Sequence, residues 1–428
     1  MIPIYRKDEI NKFIKKYDTR RQRISEEVRS TVEKILTRVR GKGDEALYEY
    51  ILQFDGVDLK ESGFKVPEWE IEQAVESIPE KILSILKQSI ENIQYYHEKE
   101  KRNSWLAWKE EGVILGQRIT PLERVGIYVP GGRAFYPSSL IMAGVPAKVA
   151  GVKEIVVATP PDENGKIHPS LLTVAYLLGI KEIYRISGAQ AVAALAFGTS
   201  SIPPVDKIVG PGNSFVAEAK RQVFGVVDID MIAGPSEVLI LADETANPDY
   251  VAADLLAQAE HDPSASSIAV VFSSRLAEKI QESVEIQKKS LSRKEILHSS
   301  LKEWSGILIA DDFPSGIELI NHIAPEHLGL HVKNPWEVVG KIQNSGAIFI
   351  GSFSPETVGD YWAGPNHILP TNRTARFSSP LGTEDFLKKS SLIYYSKDAL
   401  EKVSESLIAF AKMEGLDGHA NAVQKRKS

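Results

Sequence analysis

The side chains best suited to chemistry in this 428-residue chain fall into a few short stretches. Gln258-Ala259-Glu260-His261-Asp262 closes a helical run over residues 250–260. Gln258 and His261 are three apart and project from one helix face. An imidazole and an oxygen donor at that spacing can hold a metal ion. Glutamine is an uncommon zinc ligand, however, and a charged surface helix end contains the same residues. Ala324-Pro325-Glu326-His327-Leu328 sets a carboxylate beside an imidazole just before an apolar strand. That pattern offers an acid–base pair at a sheet edge, provided the imidazole is neutral at working pH. A polar turn after proline is the plain alternative. Gly359-Asp360-Tyr361-Trp362-Ala363-Gly364-Pro365-Asn366-His367 is dense in loop formers and holds two candidate ligands, Asp360 and His367. Glu414-Gly415-Leu416-Asp417-Gly418-His419 lies past the last expected helix, where a histidine is usually idle.

Three glycine turns stand where a strand meets a helix. They are Val129-Pro130-Gly131-Gly132-Arg133, Ser187-Gly188-Ala189-Gln190 and Gly210-Pro211-Gly212-Asn213-Ser214. Each presents free backbone N–H groups at a helix N-terminus, which attracts phosphate. None is the dinucleotide fingerprint, because Phe215 occupies the position of the third Gly or Ala in the best candidate.

The elements that must position these residues follow from periodicity. The first ~100 residues read as charged helices, including residues 24–40 and 80–101, with Asp55-Gly56 as a turn between them. From about residue 124, short β-branched runs alternate with Ala-rich helical stretches. The runs cover residues 125–129, 154–158, 183–186, 207–209, 238–241, 267–272, 306–309 and 347–350. Such alternation predicts parallel sheets with helices on both faces, and so many strands suggest two α/β units. A last helix spans about residues 398–414, with Gly415 placed to cap it.

Composition narrows the function. The net charge of −6 gives no reason to expect a nucleic-acid partner. The N-terminal residues 1–17 are charged, unlike a signal peptide, and no apolar run is long enough to span a membrane. A soluble cytoplasmic protein is expected. Cysteine is absent. Disulfides, thiolate metal sites and thiol nucleophiles are therefore impossible.

Taken together, these stretches resemble histidinol dehydrogenase. The resemblance runs from Gly43-Asp44-Glu45-Ala46-Leu47 to His419. Its most specific segments are residues 124–137, 209–213, 233–237, 257–263, 324–328, 359–370 with 375–380, and 414–419. It implies an NAD-linked oxidation of L-histidinol to L-histidine, closing histidine biosynthesis, with one zinc per subunit. The family's zinc ligands fall on Gln258, His261, Asp360 and His419, and its catalytic pair on Glu326 and His327. Its substrate contacts fall on Ser236, Gln258, His261, His327, Asp360, Glu414 and His419, and its NAD contacts on Tyr128, Gln190 and Asn213. Gly329 and the pair Asn372-Arg373 depart from the pattern away from these positions.

The resemblance also implies two Rossmann-like, aldehyde-dehydrogenase-like α/β domains with small extended terminal segments. The expected parts are an N-terminal arm over 1–25, a first domain of 26–126 plus 238–379, an NAD-binding second domain over 127–237, and a C-terminal segment over 380–428. That last segment would cross to the partner of a homodimer with shared active sites. Oxidising an alcohol to an acid removes four electrons, so two NAD must be used in turn. The aldehyde between them must be hydrated, and without cysteine the nucleophile is water activated by a side chain. A dehydrogenase acting on another small alcohol, such as a sulfonated propanediol, and an inactive zinc-bound scaffold are the competing readings. Ser236, Glu414 and His419 favour histidinol over the first, and the Glu326-His327 pair favours an enzyme over the second.

Overall fold

The computed structural model describes residues 1–19, 26–131 and 135–427. Ile24 at the start of the first expected helix, and Gly132 and Arg133 of the first glycine turn, lie outside the described residues. In chain order the strands are β1 (Ile4–Arg6), β2 (Trp105–Glu110), β3 (Val113–Pro121), β4 (Arg124–Tyr128), β5 (Glu154–Thr159), β6 (Glu182–Arg185) and β7 (Lys207–Val209). They continue with β8 (Asp228–Ile229), β9 (Glu237–Ala242), β10 (Ser266–Val271), β11 (Gly306–Ile309), β12 (His327–His331), β13 (Ala347–Ile350) and β14 (Leu387–Tyr395).

Two parallel sheets carry the architecture. One has the order β6-β5-β4-β7-β8, the other β1-β11-β10-β9-β12-β13. Apart from β1, both sheets build outward from their first strand in the same doubly wound order, third-second-first-fourth-fifth. Period-two alternation fills both faces of each. In β9, Val238, Ile240 and Ala242 face one core and Leu239 and Leu241 the other. Such strands read as continuous apolar runs because both faces are covered.

The helices of residues 26–98 pack on the sheet of β4–β8. Val32, Ile35 and Leu47 join the core under one face, and Ile71 and Ile93 the core under the other. Their expected grouping with residues 238–379 is therefore not what the apolar contacts show. The N-terminal residues, expected as an arm, place Ile4 beside Ile307 as edge strand β1 and then form helix Asp8–Asp18. Phe13 and Tyr17 of that helix are buried against the same sheet.

A third sheet did not follow from the alternation. It is antiparallel, in the order β14-β3-β2, and β2 is exposed along its whole length. A strand with no buried face shows no period-two burial signal. Past the helix Lys397–Met413, where only a tail was expected, a further helix spans Asp417–Gln424.

One turn is held with unusual tightness. The buried Lys220 donates to the Gly210 carbonyl at 2.9 Å, and Asp230, paired with that ammonium, accepts the Gly210 N–H at 2.8 Å. Gly210 has φ +111°, and a Cβ there would lie 2.1 Å from the Tyr128 carbonyl oxygen. Glycine alone fits that close approach. Gly210→Ala should therefore destabilise the fold by about 1–3 kcal/mol. Thermal unfolding followed by circular dichroism checks this, and an unchanged midpoint would show that the turn relaxes freely.

Candidate active site

The chemistry-bearing residues gather at the starts of the strands of the six-stranded sheet. β12 begins at His327, paired with Val238 of β9 on one side and Ala347 of β13 on the other. At that edge the backbone of Glu237 meets both members of the expected pair. Its N–H donates to Glu326 Oε2 at 2.9 Å, and its carbonyl accepts from His327 Nδ1 at 3.0 Å. A carbonyl can only accept, so Nδ1 carries the proton and Nε2 is left as the basic nitrogen. Burial pushes the His327 pKa down to about 3, helped by the neighbouring His367 and His261. The ring is therefore neutral at physiological pH, as a base requires.

Gln258 and His261 come from the end of the helix Pro248–Ala259, and Asp360 from the short helix Glu356–Tyr361. His367 follows in the loop, its Nδ1 donating to the Asp360 carbonyl at 3.1 Å. Burial lowers its pKa to about 4 and raises that of Asp360 to about 6. His261 is partly open to solvent, yet packing of protein around the ring lowers its pKa. Ser236 is half-buried just before β9, its carbonyl accepting from the Ser266 N–H.

Glu356 was not foreseen. It is buried, lies 3.8 Å from His327 Nδ1, and is held well above the usual carboxylate range by burial and by Asp360, Glu326 and Asp254. Its only trace in the sequence is the spacing of four residues from Asp360, which puts both on one helix face. His367 was visible as a candidate ligand but had no assigned role.

The expected NAD residues lie at the ends of the strands of the other sheet. Tyr128, at the end of β4, accepts the Gly188 N–H at 3.1 Å, and burial pushes its phenol up to about 12, so it keeps its proton. Gln190 is buried and donates to Ser187 Oγ at 3.0 Å, which in turn donates to Asp55. Asn213 caps the helix Ser214–Val223 by accepting the N–H groups of Phe215 and Val216. A cleft of about 1270 Å³ is lined by His327, Asp360 and His367 from one sheet's side and by Asp230 from the other's. Ser139, just after the first glycine turn, reaches His367 Nε2 at 3.5 Å.

The donor set fits a divalent cation. Ligand atoms of His327, Glu356 and Asp360 lie within 4.8 Å of one another, beside Gln258 and among neutral imidazoles. Crowded carboxylates held above their ordinary range lack the positive charge that a metal would bring. Glu414 and His419 stand apart in the single chain. Both are exposed, and among the described residues no side-chain hydrogen bond or ion pair joins either to this group.

Residues 18–427 match the family model described as histidinol dehydrogenase. A histidinol dehydrogenase from Caldanaerobacter subterraneus subsp. tengcongensis is 53% identical over 402 residues, 94% of this chain and 93% of that protein. The crystal structure of histidinol dehydrogenase from Elizabethkingia anophelis matches with a TM-score of 0.94 at 36% identity, covering 99% of this chain and 98% of that one. An acetylating aldehyde dehydrogenase from Geobacillus thermoglucosidasius has a similar fold, with a TM-score of 0.50 at 13% identity over 86% of this chain and 97% of its own.

The buried imidazole has a consequence for stability in the metal-free protein. An unfolded histidine takes a proton below about pH 6.5, whereas folded His327 stays neutral down to about pH 3. The unfolded state binds more protons in that window, so this residue's contribution to stability is lost as pH falls from 6.5. Between about pH 7 and about pH 5 the loss is about 2 kcal/mol. Urea titration at the two pH values checks this: the midpoint should drop less in His327→Gln than in the wild type, and equal drops would refute the lowered pKa.

Proposed function

The chain belongs to the histidinol dehydrogenase family, and on that footing we propose that it oxidises L-histidinol to L-histidine through the aldehyde, using zinc and two NAD in turn. The observation that carries the reading is the clasp at Glu237, which fixes the tautomer of His327 and orients Glu326 beside it. Gln258, His261 and Asp360 would hold the zinc, with His419 of the partner subunit as the fourth ligand. Bound there, zinc supplies a fixed positive charge that anchors the substrate's imidazole and amine, and NAD, at the edge formed by Tyr128, Gln190 and Asn213, accepts hydride.

The chain's own groups move the protons. His327 Nε2 takes the hydroxyl proton as the alcohol becomes the aldehyde. Glu326 takes a proton from the water that adds to the aldehyde carbon, and His327 returns its proton to the aldehyde oxygen, which leaves Nε2 free again. His327 then takes a hydroxyl proton of the hydrate as the acid forms. Water serves as nucleophile because the chain contains no cysteine to form a thiol adduct. Ser236, and Glu414 of the partner subunit, complete the grip on the substrate.

We place the chain in a cytoplasmic homodimer with shared sites. No helix among the described residues is long and apolar enough to cross a membrane. Exposed apolar side chains support the dimer: Trp108 is 73% exposed, Ile393 73% and Phe410 60%, on the antiparallel sheet and the last long helix. Such side chains on a single chain favour burial against a second copy.

Purified enzyme with zinc and excess NAD should form two NADH per L-histidinol, with L-histidine as product. No NADH from histidinol would reject the substrate. Glu326→Gln should slow oxidation of the aldehyde by about 10²–10⁴-fold, and far more than oxidation of the alcohol; equal losses in both halves would reject its role. Mixing subunits tests the shared site. Glu326→Gln and His419→Ala homodimers should each be nearly inactive, while their heterodimer regains one intact site. Failure of the heterodimer to regain activity would place both residues in a site within one chain.

A further inference from the structure

A glutamine ligand poses a problem that this structure answers. An amide ends in one oxygen, which can bind a cation, and one NH₂ group, which cannot. Unless the nitrogen is tied elsewhere, the side chain can turn its wrong end to the metal. Gln258 is fully buried, and the buried carboxylate of Glu356 lies against its amide. An amide oxygen there would meet only carboxylate oxygens, so the nitrogen must face Glu356. In that orientation it donates to Oε1 at 2.7 Å and Oε2 at 3.2 Å. Both hydrogen bonds fall on one carboxylate, and the amide oxygen is aimed away from it.

Charge argues in the same direction. Zinc held by a neutral amide, a neutral imidazole and a single carboxylate keeps one net positive charge before any partner histidine joins. Keeping that charge in a desolvated site is costly. Glu356 stands against the amide of the neutral ligand, on the same helix as Asp360, where its carboxylate can supply the missing negative charge through that amide. We propose that Glu356 is the positioning residue of the metal site, turning the Gln258 amide oxygen to the metal and neutralising the charge that this ligand leaves unmatched.

The proposal rests on the zinc reading, and the experiment separates the two. Zinc affinity of the stripped full-length enzyme is measured by competition with a chelating dye, with zinc content as a second readout. Wild type that takes up no stoichiometric zinc would overturn the metal reading before any variant is made. Given zinc in the wild type, Glu356→Gln, which conserves shape, should weaken binding by about 10–100-fold. Its metal-free circular dichroism should match the wild type. The double variant Gln258→Glu with Glu356→Gln exchanges the roles, placing the carboxylate on the metal and the amide behind it, and should recover most of the lost affinity. Wild-type affinity in Glu356→Gln overturns the proposal. So does a double variant that binds no better than Glu356→Gln alone, since Glu356 would then be a ligand in its own right.

Discussion

The active edge depends on one backbone unit. Glu237 opens β9, and the N–H and carbonyl that it offers there are taken by the side chains of Glu326 and His327. Its own carboxylate is fastened too, accepting the N–H of Asn372 at 3.2 Å. Asn372 and Arg373 both have positive φ, an uncommon conformation for residues with side chains. Arg373 is held by an ion pair to Asp18 in the N-terminal helix. A pair of residues that looked incidental in the sequence thus braces the residue that holds Glu326 and His327. The cost of that turn persists because the surrounding contacts over-determine it.

Geometry explains why the residues meet at the starts of strands. In open α/β sheets ligands sit beyond the carboxyl ends, at the switch in strand order. The sheet of β4–β8 obeys that rule, with Tyr128, Ser187 and Gly210 at its carboxyl ends. The other sheet gathers its side chains at its amino ends, with Glu237, His327 and Ala347 at the strand starts, and His327 and Ala347 line the cleft. One edge is rich in backbone N–H groups, and the other carries side chains able to move protons. Both sheets keep their ordinary winding while His327 from one and Asp230 from the other line a common cleft.

What could be read beforehand follows the same physics. β7, β11 and β13 fall on their expected residues because each is a β-branched run bounded by turns. Gln258 and His261 could be named as a candidate pair because their local spacing at a helix end is enough to suggest one. Glu356 was not visible, because its meaning lies in the contact with Gln258, almost a hundred positions away in the chain. β2 and β14 escaped for another reason. Trp105, Trp108 and Tyr394 have no burial partner within one chain, so the pattern that marks a strand is missing.

The electrostatics of the cluster unify these features. Glu326, Glu356, Asp360 and Asp254 crowd one side of the site, with the buried His331 3.2 Å from Asp254 and His327 Nδ1 3.8 Å from Glu356. His327 and His367 are driven neutral by burial, so they cannot supply the balancing charge. A protein can tolerate such an arrangement in two ways. It can protonate the carboxylates, which is the direction taken by Asp360 and Glu356, or it can admit a cation. Protonation would end the usefulness of Asp360 as a ligand. A cation would instead favour the ionised form of Asp360 and Glu356 while His327 stays neutral, with its Nε2 unprotonated. The same burial that makes the empty site unfavourable therefore favours a cation there and keeps His327 neutral.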